Sequence, residues 1–488
     1  MCAKAEQKEF GQGIADQETD FPQWYIDVVT KAELAEDAPV RGCMVVRPYG
    51  YALWENCQAN LDRRFKDTGV VNAAFPLLIP QSFLLKEAEH VEGFAPEVAW
   101  VTHGGGEELA EPLAVRPTSE AIIGPIYSRW IQSYRDLPLL INQWCSVFRW
   151  EKRPRLFLRT AEFWWQEGHT VHANHDDCEE RARLMLDVYR AFLEEELAIP
   201  VIPGQKSEGQ KFPGALRTYT VEAMMQDGRA LQSGTSHNLG DHFARAFDIM
   251  FLNEQNERVH GWTTSWGMST RVIGALIMVH GDKKGLVLPP RIAPHQVVVL
   301  PLWRKDEEKA GVMAAVDRVV GTLKGAGVRV KVDSDDSKTV GWKHNEWELR
   351  GVPLRMAIGP RDVENGTVEL ARRDKPGKEF KEYPSIDSLA ERVPQLLAEI
   401  QQNLYQRALE FRVRNTRHVA DMEELAQAIE ERQFADAFWC GMSECENYIK
   451  EAVKATNRCM PLDQPGDSGP CVVCAMDSKV HAIFARAY

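Results

Sequence analysis

An α+β fold, an antiparallel or mixed sheet interrupted by helices, is predicted for residues 21–290 by three observations. Strand-like runs dominate this stretch, at 70–80, 113–116, 139–151, 159–169 and 230–237. Helical periodicity breaks in irregularly, most clearly at 179–196, instead of alternating strand by strand. A stiff connector, Pro289-Pro290-Arg291-Ile292-Ala293-Pro294, then ends the pattern.

Beyond the connector the order changes. An apolar strand at 296–301 is followed by a helix at 306–324, a strand at 328–332, a helix at 341–350 and a strand at 354–358. Strand–helix–strand alternation requires crossover connections and parallel pairing. Residues 291–400 are therefore expected to form one compact α/β domain. A helix over 385–414 leads into residues 401–488, a small C-terminal α/β domain marked by clustered cysteines.

The bulk numbers narrow the class. Of the 488 residues, 44% are hydrophobic and 26% charged, as in globular chains with sizeable cores. The longest apolar runs are too short to span a bilayer, so no membrane association is expected. Residues 1–20 are polar and acidic, which predicts a disordered tail without the basic and apolar regions of a secretory signal. A cytoplasmic location is the expectation. The net charge of −13 argues mildly against nucleic acid as a partner. The charge is uneven, however: residues 291–400 hold 19 basic and 18 acidic side chains, so a basic face there is permitted.

The richest segment runs from Val147-Phe148-Arg149-Trp150-Glu151 to Thr160-Ala161-Glu162-Phe163-Trp164-Trp165-Gln166-Glu167-Gly168-His169. It reads as a strand, a basic loop and a second strand. Arg149 and Glu151, two apart, would share one strand face. Buried together they need partners, such as a phosphate for the arginine and an amine for the glutamate. Arg149, Lys152, Arg153, Arg155 and Arg159 are interleaved with Trp150, Phe157, Phe163, Trp164 and Trp165. A solvated charged loop is the plain alternative, but this mixture suits a nucleotide site.

Three further clusters have chemical potential. Arg116-Pro117-Thr118-Ser119-Glu120 resembles a helix N-cap, and it also offers a hydroxyl and a carboxylate for an amino-acid ammonium. Gln232-Ser233-Gly234-Thr235-Ser236-His237 has the small residues that let a ligand approach the backbone. Ser265 through Ser269 leads to Arg271 at the start of an apolar helix, a second cation for a polyphosphate. Finally, Cys440-x4-Cys445 and Cys471-x2-Cys474 have the paired spacing of a closed, structural zinc site. Cys459 stands apart from it.

Taken in order, these pieces resemble one family. Arg47-Pro48-Tyr49-Gly50, Arg116-Pro117-Thr118-Ser119-Glu120, Phe148-Arg149-Trp150-Glu151, Trp165-Gln166-Glu167-Gly168-His169, Gly234-Thr235-Ser236-His237 and His280-Gly281-Asp282 are similar to motifs of class II aminoacyl-tRNA synthetases, specifically the prolyl-tRNA synthetases of the archaeal/eukaryote-like type. The resemblance implies a class II synthetase-like catalytic domain over 21–290, an anticodon-binding domain over 291–400 and a zinc-binding domain over 401–488. It implies activation of L-proline by ATP with Mg2+, transfer to tRNA(Pro), and a homodimer formed through the helix near 54–65 and the strand ending at Pro76. A synthetase for another small amino acid and a non-catalytic tRNA-binding paralog are the alternatives.

Site roles follow from the same resemblance. Arg149 and Arg271 would be catalytic. Thr118, Glu120, Arg149, Trp165, Glu167, His169, His237 and Ser265 would hold proline. Arg149, Glu151, Arg159, Thr160, Gln232, Thr235, Ser269 and Arg271 would hold ATP. Lys343, Glu346, Glu348, Arg350 and Arg355 are candidates for the anticodon. Tyr488 matches the family's terminal tyrosine.

Overall fold

A computed structural model describes residues 13–90 and 98–488. Its backbone is an eleven-stranded sheet. The order from one edge is Thr416–His418, Phe434–Phe438, His481–Ala485, Thr456–Pro461, Val201–Gln205, Arg217–Met224, Ala230–Gly240, Trp262–Ser269, Glu162–His172, Leu139–Phe148 and Val71–Asn72. The pairs at the two edges are parallel. Every pair between them is antiparallel.

Strand alternation sorts residues 162–172 onto two faces. Gln166 and Gly168 turn to the back, where Gln166 Nε2 donates to the Tyr189 hydroxyl. A Cβ on Gly168 would lie 2.0 Å from the ring of Trp266, its cross-strand partner, so only glycine fits under that indole. The helix His175–Glu195 covers this face. Asn174 caps it, accepting from the Asp177 N–H at 2.9 Å. Its buried Ala182, Met185, Leu186, Tyr189, Phe192 and Leu193 recur every three or four residues and form the apolar stripe. The helices Pro48–Asp67 and Arg271–His280 complete the core, the latter buried along almost its whole length.

The 296–358 reading holds closely. Val330–Val332, Val297–Pro301 and Leu354–Ile358 pair in parallel, with helices Asp306–Gly325 and Val340–Leu349 as crossovers. A fourth strand, Glu369–Arg372, adds antiparallel to this sheet. Its polar, arginine-rich sequence carries no apolar run to announce it. The Pro289–Pro294 connector is clamped by Arg329, whose guanidinium donates to the carbonyls of Pro290, Arg291 and Ala293.

Several boundaries differ from expectation. Residues 1–12 of the expected disordered tail lie outside the described residues. Residues 13–20 are instead placed: Ala15 N–H donates to Asp27, Gln17 donates to Gln226 and Gly281, and Asp20 caps the helix Phe21–Lys31. The segment 70–80 is two short strands in different sheets, Val71–Asn72 and Leu78–Pro80. The helix Leu389–Arg414 runs straight through the expected division at 400/401, because its Leu396, Leu397, Ile400 and Leu404 pack on the α/β domain while Ala408 joins the catalytic core.

The C-terminal segment is stitched into the catalytic sheet. Met460 and Pro461 pair with Gln205 and Gly204. Behind this seam Glu222, fully buried, accepts from Lys206 Nζ at 2.8 Å and from Arg458 Nε and Nη2 at 3.1 and 3.0 Å. Thr220 donates to the same carboxylate at 2.9 Å. Burial acts to raise the Glu222 pKa, but the two cations outweigh it and hold it low. Removing the acid strands two buried cations. Glu222→Ala is therefore expected to destabilise the fold by about 3–5 kcal/mol, measured as a lowered midpoint of urea unfolding. An unchanged midpoint would show that water reaches these charges.

Candidate active site

The front face of the sheet holds a cavity of about 500 Å³. Strand register builds its floor. His237, Ser265 and His169 form one cross-strand row, and Thr235, Gly267, Glu167 and Gln143 form the next. Ser269 and Trp165 follow one step further along. Residues 165, 167 and 169 all face the cavity because strand side chains alternate with period two.

One end is acidic. Glu167 is buried and accepts from His169 Nε2 at 3.0 Å, Gln143 Nε2 at 2.7 Å and the Ser119 N–H at 3.2 Å, and from the Ser119 hydroxyl. Burial acts to raise its pKa, but the His169 contact and these donors outweigh it and bring it to about 2. Burial likewise acts to lower His169, yet the Glu167 hydrogen bond and the Glu120 and Glu167 charges hold it above the ordinary value. The buried Glu120 accepts from the Thr118 hydroxyl. Ligand atoms of Glu120, Glu167 and His169 lie within 4.8 Å of one another. His237 sits beside them, hydrogen-bonded to Thr218 at 3.0 Å with its ring 4.7 Å from that of Phe212. Burial, with His169 nearby, pushes its pKa down to about 3, so it is a neutral wall.

The other end is basic. Arg149 Nε donates to the Pro117 carbonyl at 2.8 Å, and its guanidinium lies 5.3 Å from the Trp165 ring and 5.5 Å from Phe163. No carboxylate lies within ion-pair distance of it among the described residues, and the side chain stays open to the cavity. The protein walls of the cavity displace water from the guanidinium and lower its pKa, with Glu120 and Glu167 acting against that. Arg271 Nε donates to the Leu158 carbonyl at 3.1 Å. Burial, then the neighbouring Arg149 and Arg159, push its pKa down to about 10. Two guanidiniums from distant segments thus converge on one hollow and repel each other, an arrangement that calls for an anion. The Thr160 hydroxyl is buried without a hydrogen-bond partner among the described residues.

The expected site residues Thr118, Glu120, Arg149, Glu151, Arg159, Thr160, Trp165, Glu167, His169, Gln232, Thr235, His237, Ser265, Ser269 and Arg271 all line this cavity. Two local readings change. The strand ends at Phe148, so Arg149 and Glu151 do not share a strand face. Glu151 instead turns back to Arg159 at 3.4 Å within a loop closed by an Arg155–Arg159 bridge. Ser119 occupies the N-cap of the helix Glu120–Trp130 but makes no side-chain cap bond, because Glu167 takes its hydroxyl. The wall formed by Lys211, Phe212, Pro213 and Thr218 escaped the sequence reading. The glycine- and proline-bounded aromatic at 209–214 was the available signal.

The five anticodon candidates divide. Glu348 and Arg355 line a second cavity, of about 320 Å³, with His344, Arg372, Arg373 and Lys381. Lys343, Glu346 and Arg350 do not reach it. Lys343 pairs with Asp333, and Arg350 bridges Glu346 to Glu33 of the catalytic domain. Sequence proximity placed all five on one helix and its flanks, but the helix turns these three inward.

The four cysteines converge. Cys440 Sγ lies 3.6 Å from Cys445 Sγ and 3.7 Å from Cys474 Sγ, and all four sulfurs fall within 4.8 Å of one another. A tetrahedron of sulfurs about 2.3 Å from zinc has edges of roughly 3.8 Å. Against the effect of burial, backbone N–H groups of Cys474 and Val473 lower the Cys471 pKa, whereas burial raises those of Cys440 and Cys445. Cys459 packs at the domain seam, away from this group.

Comparison with known proteins agrees with this arrangement. The family described as tRNA synthetase class II core domain (G, H, P, S and T) matches residues 100–280. An anticodon binding domain matches 296–396, and a prolyl-tRNA synthetase C-terminal domain matches 422–488. The proline–tRNA ligase of Roseiflexus sp. (strain RS-1) is 59% identical over 98% of this chain and 99% of its own length. That of Chloroflexus aggregans is 58% identical over 97% and 99%. A crystal structure of prolyl-tRNA synthetase from Cryptosporidium parvum with halofuginone and AMPPNP is 41% identical, covers 97% of this chain and 99% of that one, and superposes with a TM-score of 0.93. A second, with L-proline and AMP, is 38% identical, covers 100% and 99%, and gives the same TM-score. The chain belongs to the prolyl-tRNA synthetases, class II aminoacyl-tRNA synthetases with an anticodon-binding domain and the family's own C-terminal domain.

Proposed function

We propose that this chain activates L-proline with ATP and transfers the prolyl group to tRNA(Pro), and that the cavity with an acidic and a basic end is where it does so. The observation that carries the reading is that charge separation. A secondary ammonium and a carboxylate joined by a small ring match Glu120 and Glu167 at one end and Arg149 at the other. Trp165, His237 and Phe212 supply the flat apolar and neutral walls that a pyrrolidine needs.

In the first step a proline carboxylate oxygen attacks the α-phosphorus and pyrophosphate leaves. No protein nucleophile is required, only alignment and neutralisation of the charge that gathers on the phosphoryl oxygens. Arg149 is suited to grip the α-phosphate together with the proline carboxylate, and Arg271 the γ-phosphate. Glu151, Arg159 and Thr160 are suited to the adenine, and Gln232, Thr235 and Ser269 to the ribose and phosphates. Mg2+ enters with ATP as its counter-charge. A terminal hydroxyl of the tRNA then attacks the prolyl carbonyl and AMP leaves.

The finer assignments are part of the same reading. Zinc in the Cys440, Cys445, Cys471 and Cys474 site is structural, since four thiolates leave no open position. Glu348 and Arg355 contact the anticodon, with the basic lining around them. Two copies pair through the helix Pro48–Asp67 and the edge strand Val71–Asn72, where exposed Val71 ends the large sheet. The enzyme works in the cytoplasm; among the described residues no helix is long and apolar enough to cross a membrane.

ATP–pyrophosphate exchange is expected to respond to L-proline among the twenty amino acids, and dependence on a different one overturns the substrate. Arg149→Ala should lose about 3–4 kcal/mol of transition-state stabilisation in that assay, as for loss of one preorganised donor; near-normal exchange would remove the phosphate clamp. Glu167 makes a pH prediction. Its folded pKa of about 2 lies below the ordinary carboxylate value of 4.5. Its contribution to stability is therefore present above that ordinary value and lost as pH falls through the folded one. Glu167→Gln should flatten the stability–pH profile across that window, and superimposable profiles would contradict the ion pair. After dialysis against a chelator, one zinc per chain should remain by elemental analysis, and Cys471→Ser should release it.

A further inference from the structure

On the C-terminal domain, outside the catalytic cavity and on strands that lead to the cysteine cluster, four side chains meet that neither the cavity lining nor the cysteine set includes. His418 opposes Asp436 on neighbouring parallel strands, and Phe438 opposes His481 on neighbouring antiparallel ones. Asp436 and Phe438, two residues apart, share a face. Strand register therefore brings His418, Asp436 and His481 together on one side of the sheet. Their ligand atoms all fall within 4.8 Å of one another. The Phe438 ring lies 4.2 Å from that of His481 and 5.7 Å from that of His418, which restricts both imidazoles.

His481 is 4% exposed and lies between two carboxylates. Its Nε2 is 2.9 Å from Asp467 and its Nδ1 is 3.1 Å from Asp436. A carboxylate accepts only. If Nε2–H is given to Asp467, Nδ1 turns a lone pair toward Asp436, and His418 Nδ1 lies 3.5 Å from the other Asp436 oxygen. In the neutral ring that lone pair repels the carboxylate; a proton on Nδ1 relieves this, and so does a metal ion, for which His418 beside the same carboxylate supplies a further ligand. A ring nitrogen ligating a metal while the other donates to a carboxylate is the arrangement that fixes metal-binding histidines.

We propose that His418, Asp436 and His481 form a second, surface metal site for a divalent transition ion of the zinc type, with Asp467 orienting His481. Two imidazoles and one carboxylate suit zinc and its neighbours, with water filling the remaining position. The site clips the edge strand Thr416–His418, which directly follows the long helix Leu389–Arg414, to the strands that carry the domain. Its affinity is expected to be below that of the cysteine site, because His418 and Asp467 are solvent-exposed.

The test is calorimetric titration of Zn2+ into untagged full-length protein whose cysteine site is already zinc-loaded and which has been dialysed against a chelator. The wild type should take up one further equivalent. His418→Ala and His481→Gln should abolish that uptake while keeping the cysteine-bound zinc and proline-dependent exchange, which shows that they are folded. Asp467→Asn should weaken binding by roughly 10- to 100-fold, as orienting partners do. No further uptake by the wild type, or equal uptake by the His418→Ala and His481→Gln variants, overturns the site.

Discussion

The register of the central antiparallel strands is the constraint on which the site depends. Trp165, Glu167 and His169 face the cavity only while Glu162–His172 pairs with Trp262–Ser269 in its present frame. A slip by one residue would turn Gln166 and Gly168 into the cavity and drive the Glu167 carboxylate into the core. The frame is pinned from behind. Gly168 accepts the Trp266 indole, Gln166 meets Tyr189, and the helix His175–Glu195 seals that face. The functional face is therefore specified by packing on the opposite one.

Charge is the second theme. The cavity keeps acids and bases apart, Glu120 and Glu167 toward one end and Arg149 and Arg271 toward the other. The acids have internal partners in Ser119, Gln143, His169 and Thr118. The guanidiniums donate mainly to the carbonyls of Pro117 and Leu158, which aim them without neutralising them. With no carboxylate at ion-pair distance from either among the described residues, their charge is available to a substrate, a preorganisation that needs no rearrangement when phosphate charge develops. The buried Lys206–Glu222–Arg458 group, within electrostatic reach of Arg271, follows the opposite rule and is paired within itself. It joins the C-terminal domain to the sheet that bears the site.

Much of this was legible in the chain. The strand–helix–strand alternation of 296–358 and the cysteine spacing are local patterns, and the structure keeps both. The active-site motifs were recognisable as an ordered set, and their side chains converge. What misled was local chemistry with two uses. Ser119 reads as a cap because nothing in Thr118-Ser119-Glu120 reveals that Glu167 competes for its hydroxyl. Lys343, Glu346 and Arg350 group with Glu348 and Arg355 as anticodon candidates because their partners, Asp333 and Glu33, lie on other elements. His418, Asp436 and His481 are too far apart in sequence to form a motif.

By itself, then, the order of residues determined most element types and the identity of the side chains available for chemistry. These depend on periodicity, turn residues and short spacings, which act between near neighbours. Tertiary structure decided which of those side chains are free for substrate and which are consumed by the protein itself. It also decided that the C-terminal strands extend the catalytic sheet instead of forming a separate one. Both outcomes rest on pairing between strands hundreds of residues apart, where the energy of burying a charge or an edge is set by a neighbour that the local sequence does not contain.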